Sequence, residues 1–218
     1  MNIDELEILD FNGEKDSPEE GDKKTEKRYK KSPKKNERKD EDVDWKQELK
    51  SWVVTIGITL AVVFVIKNYI IINASVPTGS MENTIMPGDN LLGYRLAYLM
   101  DEPERGDVIF FYFPDDETQK YVKRIIGLPG EKITISGGSI FINDSATPLE
   151  EDYLKEEWTV GTGPFEFEVP EDCYFVLGDN RNSSQDARYW ANPYVADEKI
   201  IGKAMFTYFP FDRMGKVE

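Results

Sequence analysis

Ser80 lies in Pro77-Thr78-Gly79-Ser80-Met81, where the one long apolar run of the chain gives way to polar sequence, just ahead of the turn signal Met86-Pro87-Gly88-Asp89. A serine beside glycine at such a junction is either an exposed nucleophile or simply part of a turn. The 218 residues contain no histidine, so a Ser-His-Asp or Cys-His arrangement is excluded and any serine chemistry needs another base. A deprotonated lysine is the main candidate, because Ser-Lys pairing follows the same logic. Lys123 fits that requirement. It lies in Tyr121-Val122-Lys123-Arg124-Ile125-Ile126, which leads into Gly127-Leu128-Pro129-Gly130-Glu131. Strand alternation puts Lys123 on one face with Tyr121 and Ile125. Such a lysine is either a charge guarding an edge strand or a desolvated amine whose pKa falls far enough for it to accept a proton.

A third polar stretch, Gly178-Asp179-Asn180-Arg181-Asn182-Ser183-Ser184-Gln185-Asp186-Ala187-Arg188, follows directly on the apolar segment Cys173 to Leu177. Its aspartates and arginines either pair and fix a loop or form a solvated surface turn. The single cysteine, Cys173, cannot form an intrachain disulfide, and its isolation together with the lack of histidine argues against zinc. Neither a metal nor a cofactor is expected.

The elements that must hold these residues follow from patterning. Residues 1–44 run from an acidic opening (Asp4, Glu5, Glu7, Asp10) to a basic cluster that includes Lys23, Lys27, Lys30 and Lys35, with too little apolar surface for a core. They read as a disordered tail. The net charge of −15 argues against nucleic acid as the partner of the basic cluster. Residues 45–73 read as a membrane anchor: SWVVTIGITLAVVFVI carries no charge, with Trp45 and Trp52 at one interface and Lys67 at the other. A buried core helix is the competing reading. Positive charge directly upstream of the span predicts a cytoplasmic N-terminus and an extracytoplasmic domain over 74–218.

That domain reads as mostly β. Short runs rich in β-branched and aromatic residues cover 107–113, 120–126, 132–136, 139–143, 165–169, 174–177 and 200–208, and Gly137-Gly138 is a two-residue hairpin signal. The stretches 117–120 and 150–163 read as exposed polar connections.

Together these blocks resemble the bacterial type I signal peptidases, membrane-anchored Ser-Lys proteases. The resemblance covers about residues 45 to 210. It is carried in order by the anchor with Lys67, Gly79-Ser80-Met81 with Pro87-Gly88-Asp89, Arg105-Gly106-Asp107-Val108, Tyr121-Val122-Lys123-Arg124 with Gly127-Leu128-Pro129-Gly130-Glu131, and Gly178-Asp179-Asn180-Arg181 with Ser184, Asp186 and Arg188. It implies a β-rich signal-peptidase-like catalytic domain behind a single transmembrane helix, with Ser80 as nucleophile and Lys123 as general base. It further implies an oxyanion hole from the Ser80 N–H and the Thr78 hydroxyl. Ser184 would orient the lysine, while Asp186, Arg188, Asp179, Arg181 and Arg124 would support the site. Substrates would be exported preproteins, bound as an added β-strand and cut after small residues at Ala-x-Ala type sites. The lipid bilayer and nearby export machinery would be partners. Asn83, Ala187 and Ala191 depart from residues common in that family. Two other readings are a repressor-type Ser-Lys autoprotease, which an anchor disfavours, and a membrane-anchored β-domain that binds a partner or ligand without catalysis.

Overall fold

The computed structural model describes residues 45–218; the expectation of a disordered 1–44 lies outside the described residues. Helix α1, Trp45–Val65, is followed by a wider π-type turn over Ile66–Ile70. Its 21 residues reach about 31 Å at 1.5 Å per residue, close to the hydrocarbon thickness of a bilayer, about 30 Å. None of its side chains is buried, which overturns a core helix. By length and composition Trp45–Ile70 can cross a membrane. Its polar side chains are satisfied internally: Thr55 Oγ1 donates to Ser51 O (2.9 Å), Thr59 Oγ1 to Thr55 O (2.8 Å) and Asn68 Nδ2 to Phe64 O (2.7 Å). In hydrocarbon such groups have no water to turn to.

The rest of the described chain is mostly β, as its composition predicts. The strands are β1 (Ile71–Ser75), β2 (Asn90–Tyr94), β3 (Val108–Phe113), β4 (Asp116–Gly127), β5 (Lys132–Ser136), β6 (Ser139–Ile142), β7 (Phe165–Glu168), β8 (Cys173–Leu177), β9 (Tyr194–Ala196), β10 (Ile200–Phe209) and β11 (Gly215–Lys216). The larger sheet runs β1-β2-β10-β3-β4-β8-β9, with β11 also on β10, and the smaller runs β6-β5-β7. Helical backbone ends at Ile70, and Ile71–Asn73 already pair with β2, opposite Tyr94, Gly93 and Leu92. The stretch 117–120 is not a connection. It forms the exposed first half of β4, which pairs with β3 as far as Phe113 opposite Asp116.

Strand β3 explains the unbroken run Val-Ile-Phe-Phe. Val108 and Phe110 enter one core with Ile72, Met81, Ile85 and Ile201, while Ile109 and Phe111 enter another with Ile125, Tyr174 and Val176. Successive side chains point to opposite faces, and both faces are covered. A third core, around Ile126, Ile133, Phe175 and Trp158, joins the two sheets. The Gly137-Gly138 turn has φ of 58° and 78°, as a hairpin with two left-handed residues requires.

Candidate active site

The segment from Val76 to Asp89 forms a closed loop at the end of β1. Val76 N donates to Asp89 O (2.9 Å) and Gly88 N to Val76 O (2.8 Å), while Arg213 donates twice to Asp89 Oδ1 (2.9 and 2.8 Å). Met81 and Ile85 point inward and are fully buried. This apolar anchoring leaves Thr78 exposed and Ser80 half-buried at the rim of a cleft of about 1440 Å³. Asn83 has φ of 93°, a left-handed conformation that asparagine tolerates and proline cannot adopt. This is the local consequence of asparagine standing at that position.

Lys123 reaches the same point from the opposite wall. It is buried although β8 covers β4 only from Arg124 onward: Lys123 sits opposite Ile109 of β3, and the residue is 4% exposed. Its Nζ is 2.6 Å from Ser80 Oγ and 3.1 Å from Val122 O. Burial lowers its pKa from 10.5 to about 8, against the opposing influence of the Asp186 and Asp179 carboxylates. About a tenth of the amine is therefore neutral at pH 7, and about half at pH 8.

The 178–188 stretch is a packed loop behind this pair, not a solvated turn. Asn180 grips the Gly79-Ser80 segment: its N–H donates to Ser80 O (3.1 Å) and its Nδ2 to Gly79 O (2.9 Å), leaving Oδ1 buried without a partner. A Cβ at Gly178 would overlap Ser184 Oγ and the Ser80 carbonyl, so only glycine permits this approach. Arg124 donates to both oxygens of Asp179 (2.9 and 2.7 Å), to Gly106 O (2.7 Å) and to Glu218 O (3.0 Å), and stacks 4.0 Å from the Tyr153 ring. Arg188 holds Asp186 through two bonds of 2.7 and 2.9 Å, and Asp186 also accepts from Gly178 N (3.1 Å).

Arg181 turns away from the pair. Its guanidinium forks onto Glu151 at 3.0 and 2.6 Å and lies over the Trp158 ring. Ser184 is buried close to the pair, but its Oγ has no hydrogen-bond partner. Ser80, Lys123, Thr78, Asp179, Arg124, Asp186, Arg188 and Ser184 are thus gathered around one cleft or directly behind it, whereas Arg181 ties the loop to the segment 150–163, distant in sequence.

That segment departs from the expectation of an exposed connection over 150–163. Trp158 is 5% exposed and receives both Arg181 and Arg188 against its ring. Glu82, Lys155, Gln185 and Ser183 also line the cleft and were not singled out in the sequence. For Glu82 the signal was available, two positions after Ser80. For Lys155 none was, since it comes from a polar segment far along the chain.

Comparison with known proteins gives the family. The family described as signal peptidase, peptidase S26, matches residues 49–209. A signal peptidase I from Leptolyngbya laminosa is 35% identical over 75% of this chain and 81% of its own length. One from Bacillus licheniformis is 32% identical over 79% and 95%. A solved signal peptidase I from Enterococcus faecalis V583 is 35% identical, covering 47% of this chain and 97% of its own, with a TM-score of 0.40. The chain belongs to the signal peptidase family, peptidase S26, and is a serine endopeptidase that cleaves signal peptides. The resemblance read from its ordered motifs is borne out.

Proposed function

We propose that this chain removes signal peptides from exported preproteins with a Ser80–Lys123 dyad. The observation that carries the proposal is the 2.6 Å approach of a buried, low-pKa lysine to a serine hydroxyl on a cleft wall. Neutral Lys123 accepts the Ser80 proton as Oγ attacks the scissile carbonyl. The negative oxygen that develops is held by the Ser80 N–H and the Thr78 hydroxyl. The C–N bond then breaks, Lys123 returns the proton to the leaving amine, and an acyl ester remains on Ser80. Water, deprotonated by the same amine, hydrolyses the ester. Asp186 and Asp179, pinned by Arg188 and Arg124, face the lysine with negative charge and limit how far burial depresses its pKa. Ser184 Oγ supplies a hydroxyl that rotates to hold the amine once the substrate is bound.

The substrate reading is supported by two free strand edges. Among the described residues β1 pairs with β2 alone, and β8 covers β4 only from Arg124 onward. Ile71–Ser75 and Gln119–Lys123 both line the cleft, so an extended peptide can add between them. Ala74, Val76, Phe110 and Val122 make that trough apolar, in keeping with small uncharged residues on the cleaved side. Val63, Ile66 and Lys67 line its far end, where a signal sequence leaving a bilayer would enter.

In this account 1–44 is the cytoplasmic tail, 45–73 the single-pass anchor and 74–218 the extracytoplasmic catalytic domain. The lipid bilayer and the export machinery are its surroundings. Anchoring raises the effective concentration of a membrane-spanning substrate. The test is incubation of the detergent-solubilised full chain with a preprotein carrying an Ala-x-Ala site, with mass spectrometry of the products. A single cut after the second alanine, lost in Ser80→Ala, is expected. A preprotein bound but never cut would favour the non-catalytic binding reading.

A further inference from the structure

The cleft continues past the dyad, and its character changes there. β1 ends at Ser75 and the loop after it leads to Ser80, while β4 runs through Gln119 to Lys123, so both walls of the apolar trough lead up to the dyad. Beyond it the lining is polar: Glu82, Lys155, Asn180, Ser183 and Gln185. Lys155 Nζ crosses to Glu82 Oε2 at 2.5 Å, and Asn83 Nδ2 donates to Tyr153 O (3.1 Å), so the 150–163 segment is docked on the nucleophile loop. The Glu82 carboxylate lies so close over Gly79 that a Cβ there would overlap it. The pair is unequal. The Glu82 side chain is 22% exposed and also faces Asn180 Nδ2 at 3.5 Å, whereas the Lys155 side chain is 41% exposed. Both residues line the cleft, and the cation is the more exposed of the two.

We propose that Glu82 and Lys155 form the subsite for the first residues of the mature chain, with Lys155 favouring an acidic side chain there. The inference rests on the signal-peptidase reading, which assigns the apolar trough to the signal peptide. The chain leaving the dyad on the other side must then pass the Glu82–Lys155 rim. An acidic side chain one or two residues past the scissile bond meets Lys155, the more exposed partner of the pair, and competes with Glu82 for its ammonium. A basic one meets like charge. Contacts of this exposed kind act through a few-fold change.

The test compares three preproteins that differ only in carrying Asp, Ala or Lys at the first two mature positions. The solubilised full chain is assayed for kcat/KM at low salt. The expected result for the wild-type chain is about a three- to fivefold preference for Asp over Lys, weakened at high salt. In Lys155→Glu the Asp-to-Lys ratio inverts, and in Lys155→Gln it falls to one or below because the Glu82 carboxylate is left bare. Equal wild-type cleavage of all three substrates, or a ratio unmoved in both variants, would overturn the assignment. Failure of the wild-type chain to cut any of the three would instead count against the proposed function.

Discussion

Arg124 and Asp179 form a forked ion pair, with bonds of 2.9 and 2.7 Å and side chains 3% and 0% exposed, one residue along the strand from Lys123. The pair joins three segments, because Arg124 belongs to β4, Asp179 to the loop after β8, and Thr84 of the nucleophile loop donates to Asp179 Oδ2 at 2.5 Å. The groups of the dyad therefore meet because this ion pair holds the two walls of the cleft together from behind.

Removing one partner leaves a buried charge without compensation. Arg124→Met is expected to cost about 3 to 5 kcal/mol, read as a lower denaturant midpoint of the solubilised chain. The double variant Arg124→Met, Asp179→Leu should recover much of that loss in stability. It should not recover activity, because the nucleophile loop has lost its tether.

Lys123 exacts a stability cost of opposite sign. Its folded pKa of about 8 lies below the unfolded value of 10.5. Between those values the unfolded state binds the extra proton, so stability rises with pH across that window. Below about pH 8 the folded state carries a desolvated ammonium at a cost of about 3 kcal/mol. Lys123→Met should therefore unfold at higher denaturant than the wild type at pH 7, with the gap closing above pH 10.5.

Ser184 separates a structural role from a functional one. Its buried Oγ has no partner, so Ser184→Ala breaks no hydrogen bond in the resting protein and should not lower the thermal midpoint. If the hydroxyl holds the amine during reaction, kcat falls about tenfold, the worth of one hydrogen bond. An unchanged kcat would remove Ser184 from the site.

Asp186 affects the lysine through space. It raises the Lys123 pKa that burial lowers, so Asp186→Asn should move the acid limb of the kcat/KM profile to lower pH. The midpoint of that limb reports this shift even where losing the Arg188 pair reduces the amount of folded protein. A limb that stays in place or moves to higher pH would contradict the electrostatic role.

What could be read from the sequence follows the range of the interactions. The lack of histidine left lysine as the main candidate base, and the ordered motifs, through their resemblance to the signal peptidases, pointed to Ser80 and Lys123. The strands of β3 to β8 were visible because β-branched and aromatic runs between turn residues are local signals. β1 was hidden: Ile71–Ser75 continues the apolar run of the helix, and only pairing with β2 makes it a strand. Glu117–Lys120 is polar on an exposed stretch of β4, where composition cannot tell a strand from a loop. The buried role of Glu151 and Trp158 depends on Arg181 and Arg188, far along the chain, and no periodicity marks such a choice.

The central claim is that neutral Lys123 activates Ser80, and kcat/KM for preprotein cleavage as a function of pH tests it most directly. The account predicts a rate that climbs about tenfold per pH unit from pH 6, levels off near pH 8 where the amine is half neutral, and vanishes at every pH in Lys123→Met. A flat profile between pH 6 and 9, or cleavage by Lys123→Met within tenfold of the wild type, would contradict it.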